Sequence, residues 1–161
     1  MNSKILKNNY IVIPNFISKS KAKILCEEYK NYCKLNNISG DDQVIDSHSS
    51  YNYISFLELL CEKTQEVSSI LEETVLPTYT YARVYRNKNE LKRHTDRDAC
   101  EISLTLHLHG DQPWKIYIKN PEEEEKSVIL HPGDAMLYLG KTAEHWRNEY
   151  VGDEYTQVFL H

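Results

Sequence analysis

Residues 101–109, Glu-Ile-Ser-Leu-Thr-Leu-His-Leu-His, alternate strictly between polar and apolar side chains. Successive side chains of a strand leave opposite faces, so the pattern commits this segment to a half-buried strand. Ile102, Leu104, Leu106 and Leu108 form the apolar face, and Ser103, Thr105, His107 and His109 form the other. The second face looks either into solvent or into a polar interior. A polar face turned into a barrel needs hydrogen-bond partners, and ligand oxygens would supply them. Thr105 and His107 are the candidates to line such a pocket.

The rest of the second half also reads as β. Residues 78–86 are β-branched and aromatic, residues 114–119 alternate after a Gly110-Asp111 turn, and His131-Pro-Gly-Asp134 is a turn. Residues 127–130, 135–139 and 155–160 complete the strands. The first half reads differently. Residues 10–13 are a short strand ended by Pro14. Ser18 is a helix N-cap, followed by Ala22, Leu25, Cys26, Tyr29 and Cys33 at helical spacing. A second helix is predicted over 53–73 with Leu57, Leu60, Cys61, Ile70 and Leu71 inward, and Pro77 closes this half. Helices followed by about seven short strands predict an α+β, mainly β, fold: a sandwich or barrel with helices packed on one side. The expected organisation is a single domain over 1–161, with 1–77 as helical support and 78–161 as the barrel core.

The net charge of −5 gives no reason to expect a polyanion binder, so nucleic acid is not the expected partner. No apolar run reaches the length of a membrane span, and residues 1–7 lack the apolar core of a signal peptide. Cys26, Cys33, Cys61 and Cys100 are scattered without a CxxC pair, which fits reduced thiols in a cytoplasmic protein. The acidic run 122–125 reads as a solvated loop. Residues 36–52 are polar and turn-rich, either a flap over a site or a surface loop.

His94-Thr-Asp96 lies just before the long alternating strand. In extended chain, residues i and i+2 project to one side, so this imidazole and carboxylate can reach one metal ion. His145 follows the 135–139 strand and offers a second imidazole. Two histidines and one carboxylate leave coordination positions open, an arrangement that suits iron(II). His107 and His109 share the same i, i+2 geometry but lack a following carboxylate, and His94-Thr-Asp96 is preferred. His48 and His161 read as incidental. Trp114 and Trp146 read as packing residues, Trp146 also as a pocket wall beside His145.

Order and context carry a resemblance. Residues 10–17 (YIVIPNFI), Arg83-Val-Tyr85, His94-Thr-Asp96, residues 128–138 (VILHPGDAMLY) and Glu144-His145 follow one another as in the Fe(II)- and 2-oxoglutarate-dependent oxygenases, and most closely resemble their prolyl-4-hydroxylase-like branch. These stretches cover most of the chain. The resemblance implies a double-stranded β-helix (jelly-roll, cupin-like) core with N-terminal supporting helices. It also implies Fe(II) held by His94, Asp96 and His145, with 2-oxoglutarate and O₂ as cosubstrates. The implied reaction is hydroxylation of a C–H bond in a peptidyl proline, an amino acid or another small substrate, with release of succinate and CO₂. An aspartate at position 96 favours hydroxylation over halogenation, because the related halogenases leave that position open.

The chain departs from the pattern at one point. The family places an Arg or Lys nine or ten residues after the distal histidine, to pair with the far carboxylate of 2-oxoglutarate. Glu154 and Tyr155 stand there. A carboxylate buried without a partner is costly, so another group must answer it. Arg147 is the first candidate, two residues past His145 and carrying the fork a carboxylate accepts. Arg83 is the second. Tyr85 lies near the family's cosubstrate-binding tyrosine, and also fits a core tyrosine with its hydroxyl at the rim. The missing cation keeps open a cupin-like metalloenzyme that works without 2-oxoglutarate; a non-catalytic metal-binding module is a separate alternative, against which the intact triad speaks.

Overall fold

A computed structural model describes all 161 residues. Three α-helices are interleaved with the first two of ten strands, and the remaining eight strands follow, interrupted only by a 3-10 turn at Asp98–Cys100. A short helix α1 (Ser3–Asn8), which the sequence reading did not anticipate, is capped by Asn2, whose side chain accepts from the Lys4 N–H at 2.8 Å. Helix α2 (Lys19–Leu35) starts where Ser18 Oγ accepts from the Lys21 N–H at 3.1 Å. It buries Ala22, Leu25, Cys26, Tyr29 and Cys33, the face expected. Helix α3 (Ile54–Leu71) falls inside the expected span, but its buried residues are Phe56, Leu59, Leu60 and Leu71. Cys61 is exposed, and Leu57 and Ile70 are only half-buried. The expectation for that face was off by a rotation, because the run contains more apolar residues than one stripe holds.

Ten strands form two antiparallel sheets. They are β1 (Tyr10–Ile13), β2 (His48–Tyr51), β3 (Thr80–Arg86), β4 (Leu91–His94), β5 (Ser103–Gly110), β6 (Ile116–Lys119), β7 (Glu125–Val128), β8 (Ala135–Tyr138), β9 (His145–Arg147) and β10 (Glu154–Leu160). The larger sheet has the order β1-β8-β5-β10-β3-β2 and the smaller β4-β9-β6-β7. This is the double-stranded β-helix. Both edges of the larger sheet come from the first half of the chain, β1 pairing with β8 and β2 with β3. The segment 36–52 is therefore neither flap nor loop throughout: its last residues are an edge strand.

Strand β5 shows how the alternation is used. Leu104, Leu106 and Leu108 face the helices and join Ala82, Val84, Leu137, Val158, Phe56 and Leu59 in the main apolar core. Ser103, Thr105 and His107 face the other way and are also buried, so the polar face is interior. The register adds Arg83 opposite Gln157, and Gln157 opposite His107, on that inner face. The all-apolar face against α2 and α3 holds the sheet; truncating Leu106, which is fully buried, would cost about 2–5 kcal/mol. No helix is long and apolar enough to cross a membrane. All four cysteines are free, and three of them are buried.

Candidate metal centre

Strands β4 and β9 are short, and their pairing decides the site. His94 and His145 are register partners, so both imidazoles leave the smaller sheet on the same side, with ring centroids 4.3 Å apart. Asp96 lies in the turn after β4. Its N–H donates to the Gly140 carbonyl at 2.8 Å, which ties this turn to the one following β8. Gly140 has to be glycine. A Cβ there would stand 2.4 Å from Asp96 Oδ2, 2.5 Å from Ser103 Oγ and 2.6 Å from the Cys100 carbonyl.

The donor atoms converge. His94 Nε2 and His145 Nε2 each lie 3.5 Å from Asp96 Oδ1, within the span that two donors each about 2.1 Å from one ion allow. His94 Nδ1 is 2.7 Å from the Lys92 carbonyl and His145 Nδ1 is 2.9 Å from the Ala143 carbonyl. A carbonyl only accepts, so each Nδ1 carries the proton and each Nε2 presents a lone pair to the shared point. Ser103 Oγ donates to Asp96 Oδ2 at 2.9 Å and contacts His161 Nδ1 at 2.9 Å. Burial works to raise the Asp96 carboxyl, but contacts with His145, His94 and Ser103 outweigh it and hold the group well below the usual carboxylate range. Burial pushes the His161 imidazole down to about 4.

A cavity of about 250 Å³ opens beside these donors. Tyr81, Arg83, Tyr85, Tyr138 and Phe159 line its interior, and Tyr51, Tyr79 and Arg97 stand toward its mouth. Asp41 and Gln43, from the segment before β2, close one side. A larger cavity of about 420 Å³ lies elsewhere, between α3 and the chain around Val75 and Leu76, and none of the three converging residues lines it.

The two candidate arginines are both 1% exposed but differ in position. Arg83 lines the cavity. Its Nη2 donates to Asp41 Oδ2 at 2.5 Å and to the Tyr81 hydroxyl at 2.6 Å, and its Nη1 donates to Gln43 Oε1 at 3.1 Å. Its Nε is buried without a partner. Arg147 leaves β9 on the same side as His145 but lies deeper, outside the cavity wall. It donates to the Trp114 carbonyl and to Gln157 Oε1, both at 2.8 Å, between the Trp114 and Tyr155 rings. Gln157 in turn donates to Thr105 Oγ1, so Thr105 belongs to this deep network and does not face the cavity. Tyr85 is at the cavity wall and touches Trp114 edge-on.

Of the positions where a cation was expected, Glu154 pairs at the surface with Lys30 and Arg86. Tyr155 points inward, stacked on His107 at 4.1 Å, its hydroxyl buried without a partner. His107 is buried and His109 exposed, and neither joins a cluster of metal-binding side chains. Trp146 is not a pocket wall. It faces away from the cavity, stacked on Tyr117 at 5.4 Å with Arg93 3.5 Å above its ring. His161 is not incidental, since it buttresses Ser103 and lines the cavity.

Several residues here were missed in the sequence. Ser103 lies on the polar face of the alternating strand beside Thr105 and could have been found by that signal, whereas Tyr138 ends the uniformly apolar β8 and carries none. Asp41 carries no signal, since the fold alone brings it to Arg83 across forty-two positions.

The sequence matches no protein-family profile and no curated protein. Solved structures do match. A prolyl-4-hydroxylase from Pseudomonas putida superposes with TM-score 0.79 at 13% identity, covering 98% of this chain and 94% of that one. The viral collagen prolyl hydroxylase of Paramecium bursaria Chlorella virus-1, solved with 2-oxoglutarate, gives TM-score 0.69 at 14% identity over 94% of each chain. HygX from Streptomyces hygroscopicus, solved with nickel and 2-oxoglutarate, gives 0.75 at 9% identity over 99% of this chain and 86% of that one. The chain has the fold of the Fe(II)- and 2-oxoglutarate-dependent oxygenases.

Proposed function

We propose that the protein is an Fe(II)- and 2-oxoglutarate-dependent oxygenase that hydroxylates a C–H bond of a small molecule or of a side chain in a peptide. The observation that carries this reading is the convergence of two bare Nε2 atoms and one carboxylate oxygen on a single point beside a cavity that holds a buried arginine. The donor set fits a divalent first-row metal with room left for exchangeable ligands. An orphaned Arg83 Nε in the same cavity fits an anionic ligand. The chemistry such a centre supplies when loaded is the coupling of 2-oxoglutarate decarboxylation to oxygen insertion into a C–H bond.

The chain's own residues then take distinct tasks. His94, Asp96 and His145 hold the metal, with Ser103 and the carbonyls of Lys92 and Ala143 fixing their orientation. Arg83 takes over the far-carboxylate role, because it is the buried cation that faces the cavity, while Arg147 is a packing element of the deep network. Tyr85 and Tyr81 flank Arg83 and offer hydroxyls to a bound acid. The cavity's modest volume admits a small acid and one side chain, and Tyr51, Tyr79 and Arg97 at the mouth form the surface a substrate meets.

The fold neighbours support the reading: two are prolyl hydroxylases, one of them solved with 2-oxoglutarate, and a third was solved with nickel and 2-oxoglutarate. One observation favours a second reading, metal chemistry without 2-oxoglutarate: Arg83 is already paired with Asp41. Iron-dependent formation of succinate from 2-oxoglutarate separates the two. Succinate supports the first, and metal binding with no succinate under any candidate substrate supports the second.

A further inference from the structure

We propose that Asp41 fills, from within the chain, the seat that Arg83 keeps for a ligand carboxylate, so that 2-oxoglutarate binds by exchange with Asp41. The inference rests on the oxygenase reading above.

The pairing is asymmetric. The Arg83 side chain is 1% exposed and fixed on the central part of β3, whereas the Asp41 side chain is 40% exposed on a segment without helix or strand. Apart from Tyr81 on its own strand, both hydrogen-bond partners of Arg83 come from this segment, Asp41 and Gln43. The segment is pinned on either side of its tip. The Ser39 carbonyl accepts from the Ser49 N–H at 3.2 Å. Val44 is buried against the aromatic cluster that includes Tyr85 and Trp114. Between these pins, Asp41 Oδ1 holds the turn by accepting from the Gln43 and Val44 N–H groups at 3.1 and 3.0 Å. Residues 40–43 are thus a short tip that presents one carboxylate to the buried Arg83 guanidinium and to the Tyr81 hydroxyl, which donates to the same Asp41 Oδ2.

A buried guanidinium needs a counter-charge, and Asp41 provides it while no ligand is bound. A dianion entering the same cavity meets an arginine already neutralised and the Asp96 carboxylate nearby, and two carboxylates at one fork repel each other. Exchange removes that conflict. 2-Oxoglutarate has the required chemistry, with a chelating keto acid for the metal and a second carboxylate for Arg83. Its arrival frees the tip, which closes one side of the same cavity.

The test measures 2-oxoglutarate binding by calorimetry to nickel-loaded full-length protein, comparing wild type with Asp41→Asn, Asp41→Ala and the neighbouring Asp42→Asn. Hydrogen exchange of residues 40–44 is followed with and without 2-oxoglutarate. The proposal expects at least tenfold tighter binding for both Asp41 variants, wild-type affinity for Asp42→Asn, and faster exchange at the tip of the wild type once 2-oxoglutarate is added. Equal or weaker binding in the Asp41 variants, tightening in Asp42→Asn as well, or slowed exchange at the tip would overturn the exchange while leaving the oxygenase reading in place. Absence of binding to wild type and variants alike would overturn the oxygenase reading, and the exchange with it.

Discussion

Asp96 and Gly140 are locked together: the Asp96 N–H donates to the Gly140 carbonyl at 2.8 Å, and Asp96 Oδ2 lies 2.4 Å from where a Cβ on residue 140 would stand. The turn after β8 therefore sets where the carboxylate of the turn after β4 can be. Gly140→Ala is expected to push Asp96 and Ser103 out of register. Metal affinity should fall at least tenfold, with a stability loss of about 1–3 kcal/mol typical of overpacking. Calorimetric titration with nickel and a thermal melt check both; unchanged metal affinity would mean that Asp96 is not held by this contact.

Removing a donor should empty the centre without unfolding the chain. His94 is half-buried at the end of a short strand, so His94→Ala and Asp96→Asn should each weaken nickel or manganese binding at least a hundredfold while far-UV circular dichroism stays native. Ser103→Ala leaves the donors in place but frees Asp96 Oδ2, and should cost roughly ten- to a hundredfold in affinity. Metal affinity at the wild-type level in His94→Ala or Asp96→Asn would remove these residues from the site.

The two buried arginines should separate by phenotype. Arg83→Leu is expected to raise the dissociation constant for 2-oxoglutarate at least tenfold, the loss of about 1.4 kcal/mol or more. Arg147→Leu is expected to act on stability, by roughly 3 kcal/mol, because it leaves Gln157 and the Trp114 carbonyl without their partner. Denaturation and 2-oxoglutarate titration of both variants check this; the opposite pattern would return the carboxylate role to Arg147.

His107 should make the fold acid-sensitive. Burial, reinforced by the charge of Arg147, pushes its imidazole down to about 3 from the ordinary 6.5. The unfolded chain binds the proton more readily, so this contribution to stability is complete above pH 6.5 and is lost as pH falls toward about 3. The slope is at most about 1.4 kcal/mol per pH unit. His107→Phe keeps a ring against Tyr155 and should flatten the melting temperature between pH 6.5 and 5 relative to wild type. An identical slope in the variant would show that another group dominates.

Much of this was legible before the structure. Strict alternation over 101–109 already contained the sheet's two faces, and Ser18 with the spacing after it contained α2 and its buried side. Order and context in the sequence single out His94, Asp96 and His145, and the fold brings those three side chains to one point; Cys100 and His161 also come within reach of Asp96. The inner face of α3 was misplaced because Leu57, Leu59, Leu60 and Cys61 offer two overlapping stripes, and only packing against the sheet selects between them. Extended-chain geometry from His145 makes Arg147 the first candidate, but it fixes direction and not depth in the barrel. The depth comes from Trp114 and Gln157, which lie thirty-three and ten residues away. Asp41 could not be found at all, since a loop carboxylate acquires its meaning only when the barrel closes beside it.

On the proposed function, one site binds a divalent metal and 2-oxoglutarate together. Metal-free protein is titrated anaerobically with iron(II) and then with 2-oxoglutarate, and the weak visible charge-transfer absorption of a metal-chelated keto acid is followed. Absorption that saturates at one equivalent of each in wild type, and is absent in Asp96→Asn, is the predicted result. Iron binding with no such absorption at any 2-oxoglutarate concentration would contradict this function and give the site to metal chemistry of another kind.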